Sequence, residues 1–248
     1  MQLAALGLVS YFEFLIDNFV HIPPTKIAAE IGDVPCAFHI MKSEFLECAP
    51  EELKRYGKLI RTFVRTLKPL YVSDHLARFN VHQMNLPIVA EYSYAKTDID
   101  RLSARVGQWQ EALGTQIFLE NFPSRTTAFA AAQPEFLVAL SAKSGCGILF
   151  DVSNAIVASV NGNVKLSDWI EVAKASPHFH VAGFRKVNGK SGWLLDSHDS
   201  VVTEDTFEFL SACLKATSVP ESMTYERDAN LNIEEIAADL RRFQRGCA

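Results

Sequence analysis

The sequence predicts an α/β protein of the (β/α)8 barrel type, and three observations predict it. Its 248 residues match the usual size of one such barrel. Short β-branched and aromatic runs alternate with longer amphipathic segments from one end to the other, the pattern of βα units around a parallel sheet. No Gly-rich phosphate loop follows any strand, so the competing doubly wound sheet lacks its fingerprint. Residues 1–248 are expected to form a single domain.

Taken in order, residues 1–10 read as the end of an apolar helix. Strands are expected at 11–16, 35–40, 70–75, 116–121, 147–152, 179–183 and 223–228, each a short run of apolar, β-branched or aromatic residues. A helix is expected at 51–67, begun by Pro50, whose fixed φ suits a first helical turn. The next is expected at 98–113, ended by Gly114, and others at 134–143, 166–175, 204–215 and 233–243. An eight-stranded barrel needs one more strand than these seven. The only room for it is at the N-terminus, so the first strand is expected to be missing there. Two connections, 76–97 and 184–203, exceed the usual loop length and are expected to be functional loops.

Composition narrows the class. With 48% hydrophobic and 21% charged residues the chain reads as globular and not disordered. Its 29 acidic against 24 basic residues, net charge -5, give no electrostatic reason for a nucleic-acid partner. No signal-peptide pattern opens the sequence and no run of eighteen apolar residues occurs, so no membrane and a cytoplasmic location are expected. The five cysteines, Cys36, Cys48, Cys146, Cys213 and Cys247, are odd in number and lack C-x-x-C spacing. Neither a disulfide framework nor a thiolate zinc site follows. Most should be small buried apolar residues, with Cys247 exposed near the end.

In a barrel of this type the active site lies at the C-terminal ends of the strands. There the sequence places Glu13 and Asp17, His39, Ser73-Asp74-His75, Glu120-Asn121, Asp151 with Asn154, His180, and Glu226-Arg227-Asp228, with Asp196-Ser197-His198 in the loop after the sixth strand. With 29 acidic residues and 7 histidines in 248, one strand ending this way would be unremarkable; all seven do. Unpaired carboxylates and imidazoles crowded together repel and desolvate one another, and a multivalent cation reverses that cost. Nitrogen and oxygen donors without thiolate suit iron, manganese or zinc.

Each residue also has a plainer reading. His39 alone could equally be a satisfied core histidine, and Glu13 could pair with a neighbouring cation. Asp74 could support His75 from behind. Asn121 and Asn154 could cap turns. His178 lies two residues before His180 and could face the same side or sit outside the cluster, while His21 and His82 have no such placement.

The segments at 14–21, Ala37-Phe38-His39-Ile40-Met41, Tyr71-Val72-Ser73-Asp74-His75, Leu119-Glu120-Asn121, Leu149-Phe150-Asp151-Val152-Ser153-Asn154-Ala155, Phe179-His180-Val181-Ala182-Gly183 and Thr224-Tyr225-Glu226-Arg227-Asp228 resemble the multinuclear non-haem iron oxidases that modify peptides, the family of the methanobactin biosynthesis B subunit. The resemblance covers nearly the whole chain. It implies a TIM-barrel oxidoreductase holding two or three iron ions, mixed Fe(II)/Fe(III), with dioxygen as co-substrate. Its substrate would be a cysteine-containing, ribosomally made precursor peptide whose cysteines become oxazolone and thioamide groups of a copper-binding product. A partner subunit, in a heterodimer of the methanobactin B/C type, would help to present the peptide.

Carried over by position, the resemblance makes His39, His75, Glu120, Asp151, Asn154, His180, Asp196, His198 and Glu226 the metal ligands. A carboxylate such as Glu120 or Asp151 would bridge two irons. Asp228, two residues past Glu226 and so on the same strand face, is expected to be the catalytic general base, against the alternative of a salt bridge to Arg227 or another surface cation. Two other functions remain open: a zinc- or manganese-dependent hydrolase or sugar isomerase on the same architecture, and a non-catalytic peptide-binding or metal-storage barrel.

Overall fold

The computed structural model describes residues 2–81, 84–189, 192–217 and 219–246; His82 and Cys247 lie outside them. Along the chain run α1 (Gln2–Ala5), β1 (Phe12–Leu15), α2 (Pro24–Ile31), β2 (Cys36–Ile40), α3 (Pro50–Leu67), β3 (Val72–His75), β4 (Ala77–Val81), β5 (Met84–Glu91), α4 (Ile99–Leu113) and β6 (Phe118–Glu120). Then come α5 (Thr127–Ser144), β7 (Gly147–Asp151), α6 (Val152–Gly162), α7 (Ile170–Lys174), β8 (His178–Ala182), β9 (Phe184–Lys186), β10 (Leu194–Asp196), α8 (Glu204–Ala216), β11 (Ser222–Glu226) and α9 (Ile233–Gly246).

All seven expected strands are present, in one parallel sheet of order β1-β2-β3-β6-β7-β8-β11. The order never reverses, so there is no switch point and the doubly wound alternative falls; the fold is an α/β barrel type. Among the described residues the sheet has seven strands, and Gln2–Ala5, where an eighth was sought, is helical. The two long connections are not bare loops. Each carries an antiparallel hairpin, β4 with β5 and β9 with β10.

Chain contacts group into two compact units. The first, Ser10–Glu120 with Ala139–Gly147, holds β1 to β6; the second, Met1–Val9, Asn121–Val138 and Ile148–Ala248, holds β8 to β11 and most of β7. In the first, β2 is buried along its whole length, with Phe38 and Ile40 fully enclosed, as expected of a parallel strand covered on both faces. Helix α3 begins at Pro50, Glu52 accepts from the Ala49 N–H at 3.2 Å, and acidic residues occupy its first turn, where the helix dipole favours them. Gly57 lets α3 press against α4, because a Cβ there would stand 2.5 Å from the Ala112 Cβ. In the second unit, Phe150 meets Phe179 edge-to-face and Phe209 on α8, which seals β7 and β8 under the helix layer.

Three helices depart from expectation. Helix α5 starts at Thr127, ahead of the expected start at Pro134, and contains that proline in its interior. Helices α2 and α6 were not expected. Strand β11 ends at Glu226, so Asp228 lies beyond the strand and the period-two argument for its facing does not apply. No helix among the described residues is long and apolar enough to cross a membrane.

Candidate metal centre

In the first unit the strand register brings the donors together. His39 pairs with Ser73 across β2 and β3, and His75 pairs with Glu120 across β3 and β6. The ligand atoms of His39, His75 and Glu120 all lie within 4.8 Å of one another. The Glu120 Oε2 is 3.6 Å from His39 Nε2 and 3.1 Å from His75 Nε2, and the two rings meet edge-on at 4.6 Å.

Hydrogen bonds behind the rings set which nitrogen is free. The Ser73 hydroxyl donates to the Phe38 carbonyl at 3.2 Å, so its contact with His39 Nδ1 at 2.6 Å is one in which the ring N–H donates to Oγ. That leaves the lone pair on Nε2, facing Glu120. His75 Nδ1 likewise stands 3.4 Å from the Ile40 carbonyl. Burial lowers the pKa of His75, but the Glu120 carboxylate outweighs it and lifts the ring to about 9. Asp74 is pushed up to about 7 by burial, although the Trp109 indole and the His75 backbone N–H both donate to it.

The second unit supplies a second group. The ligand atoms of Asp151, His180 and Glu226 also lie within 4.8 Å of one another, with His180 Nδ1 at 3.1 Å from Glu226 Oε1. Asp151 and His180 are fully buried and face each other in the β7–β8 register. Asp151 caps α6, its Oδ1 accepting from the Asn154 N–H at 2.7 Å. Asn121 holds the Asp151 backbone from both sides, accepting from its N–H at 2.7 Å and donating to its carbonyl at 2.9 Å. Asn154 donates to the Asn121 carbonyl at 3.0 Å, and its buried Oδ1 has no hydrogen-bond partner.

His198 joins Glu226 from the loop after β10. It adopts a left-handed backbone, φ 46°, fixed by its N–H to Gly183 and its carbonyl to Asp228. Its ring lies 2.8 Å from Asp196 Oδ1, 3.6 Å from Glu226 Oε2 and 3.2 Å from Asp228 Oδ2. Burial works against its charge, but the three carboxylates raise it to about 12. The Asp228 side chain is 65% exposed. Its partner is therefore His198, while Arg227 serves the Ala229 and Asn230 carbonyls and Glu235.

The remaining candidates are accounted for. Glu13 accepts from the Tyr71 hydroxyl, and Asp17 from the Tyr56 hydroxyl and the Met41 and Lys42 amides. His178 is buried against Ser222, and His21 is exposed. Burial pushes the Cys36 and Cys146 thiols up to about 11 and Cys213 to about 12, which makes them inert. The supporting role of Ser73 escaped the sequence reading, yet its alignment with His39 follows from pairing the two strands by their hydrophobic pattern. Two buried groups of imidazole and carboxylate, without thiolate and with a spare amide oxygen on Asn154, fit divalent iron, manganese or zinc.

Residues 3–247 match the family described as RiPP precursor modification enzyme MbnB/TglH/ChrH. A UPF0276 protein of Caulobacter vibrioides (strain NA1000 / CB15N) is 30% identical over 187 residues, which cover 73% of this chain and 65% of that protein, so the chain spans under two thirds of this relative. A UPF0276 protein of Rhizorhabdus wittichii (strain DSM 6014 / CCUG 31198 / JCM 15750 / NBRC 105917 / EY 4224 / RW1) is 30% identical over 231 residues, 90% of this chain and 81% of that one. Among solved structures, D-psicose 3-epimerase from Clostridium cellulolyticum H10 superposes with a TM-score of 0.62 at 13% identity, covering 98% and 90% of the two chains; that likeness is one of fold. The chain belongs to the RiPP precursor modification enzyme family MbnB/TglH/ChrH.

Proposed function

We propose that this chain is a multinuclear non-haem iron, dioxygen-dependent oxidase that converts cysteine residues of a ribosomally made precursor peptide to oxazolone and thioamide groups, as in methanobactin biosynthesis. The observation that carries the reading is the pair of buried donor groups, His39/His75/Glu120 and Asp151/His180/Glu226, in a member of a peptide-modifying family. Iron held there would supply the redox chemistry and activate dioxygen. Asn154, Asp196 and His198 complete the proposed ligand set. His39 and His75 present Nε2 because Ser73 and the Ile40 carbonyl occupy the opposite nitrogens.

Asp228 is the proposed general base, taking a proton from the peptide during ring closure. Its exposure lets a peptide reach it, and His198 Nδ1 stands 3.2 Å from its carboxylate, close enough for the ring N–H to orient it. A partner subunit delivers the peptide in this reading. The test is metal analysis after anaerobic purification, followed by addition of the partner and a cysteine-containing precursor peptide under dioxygen. Iron, oxygen consumption and hydrogen loss at cysteine by mass spectrometry are expected. Zinc or manganese with no oxygen uptake would favour a hydrolase or sugar isomerase instead. Asp228→Asn is expected to leave iron content intact and abolish turnover; unchanged turnover sinks its role as base.

A further inference from the structure

We propose that Trp109 and Tyr56 form an escape route for oxidising equivalents, delivering an electron to the His75 end of β3 when the centre becomes oxidised with no peptide bound. The proposal rests on the oxidase reading above. The route lies wholly in the first unit. Asp74 is fully buried next to His75 and accepts from the His75 backbone N–H at 2.7 Å and from the Trp109 indole N–H at 2.9 Å. Trp109 is itself fully buried, and its ring stacks on Tyr56 with centroids 6.1 Å apart and planes 11° from parallel. The Tyr56 hydroxyl, half-buried on α3, donates to the Asp17 carboxylate, which two backbone amides hold in place. The close approach at Gly57 brings α3 and α4 near enough for the stack.

Indole and phenol are the side chains most readily oxidised by one electron, and here they stand in series. Trp109 would give up one electron to an oxidised metal held at His75, and the Trp109 radical cation would take one from Tyr56. As that electron leaves, the Tyr56 hydroxyl proton moves to Asp17 along the existing hydrogen bond, leaving a neutral tyrosyl radical and a protonated carboxylate. A solvent thiol restores Tyr56: the thiol gives up an electron and loses its own proton to water, becoming a thiyl radical, while Asp17 returns its proton to the phenolate oxygen. Asp74 conducts and is chemically unchanged. The chain thus protects His75 and its neighbours from oxidation in an unproductive cycle.

The experiment uses the full iron-loaded chain exposed to dioxygen without peptide, followed by rapid-freeze electron paramagnetic resonance and by mapping of oxidised residues with mass spectrometry. A tyrosyl signal is expected, at least tenfold weaker in Tyr56→Phe. Trp109→Phe should retain iron and oxygen uptake, lose the Tyr56 signal, and shift oxidation to His75. Oxygen uptake by the unaltered protein with no aromatic radical, or with a radical indifferent to both substitutions, overturns the route and leaves the oxidase reading standing. Absence of oxygen uptake without peptide overturns the route, while uptake once the partner and precursor peptide are added keeps the oxidase reading standing and its absence there sinks that reading. Should Trp109→Phe fail to fold, Tyr56→Phe decides the matter alone.

Discussion

Ser73→Ala isolates the part of the metal centre that never touches the ion. The substitution removes one buried oxygen, 2.6 Å from His39 Nδ1, and leaves every donor atom in place. Without that acceptor the ring can rotate, and its proton can occupy Nε2, the nitrogen that faces Glu120. Groups that orient ligating histidines typically contribute 10–100-fold in metal affinity, so about 1.4–2.7 kcal/mol of binding should be lost. Folding should lose about 1–3 kcal/mol, since two neutral hydrogen bonds go, one to the Phe38 carbonyl and one from the His39 ring, while alanine fits the same space. A domain with roughly 5–15 kcal/mol of stability survives that. The assay is titration of anaerobic protein with Fe(II) against a chelator of known affinity, alongside urea unfolding. Affinity within twofold of the unaltered protein, with the fold intact, would refute the claim that Ser73 sets the His39 tautomer.

Two further outcomes follow from geometry and charge. His75 holds its proton up to about 9 and His198 up to about 12, so both rings are charged near neutral pH, whereas coordination needs the neutral imidazole. Loading metal should therefore expel protons, and affinity should fall as pH drops; calorimetry in buffers of different ionisation enthalpy that detects no release contradicts this. Gly57→Leu should destabilise the chain by about 1–2 kcal/mol in urea unfolding, because its Cβ alone meets Ala112 at 2.5 Å and an overpacking cost of about 2–3 kcal/mol outweighs the roughly 1 kcal/mol gained in helix propensity. An unchanged midpoint would show that α3 can move away freely.

The strands were legible because parallel strands covered on both faces need unbroken apolar runs, and 35–40, 147–152 and 179–183 supply them. The donors at their ends were legible for the same reason: Asp151 and His180 interrupt apolar sequence where a charge has no packing role. Helix α6 stayed hidden because residues 152–159 are all buried, so its sequence shows no polar face and no 3.6-residue period. Helix α5 misled through Pro134, since proline signals a helix start far more often than an interior position. Of the hairpins in the long connections, β4–β5 stayed hidden because Pro87 interrupts the run in β5, whereas β9–β10 carries an Asn188-Gly189 turn signal but its strands are only three residues each. Asp228 could not be placed because its position depends on a turn past β11 that hydrogen-bonds back to the His198 carbonyl, a contact no periodicity encodes.

The sequential strand order has a consequence for how such a protein is made. Donors enter one per strand as synthesis proceeds, so the trio ending at Glu120 becomes available before β7 and the strands after it have left the ribosome. The trio ending at Glu226 cannot exist until β11 has docked beside β8. Cation uptake by the second trio would therefore act as a checkpoint on completed assembly: a stalled or truncated product could chelate at its first trio and never gain the second.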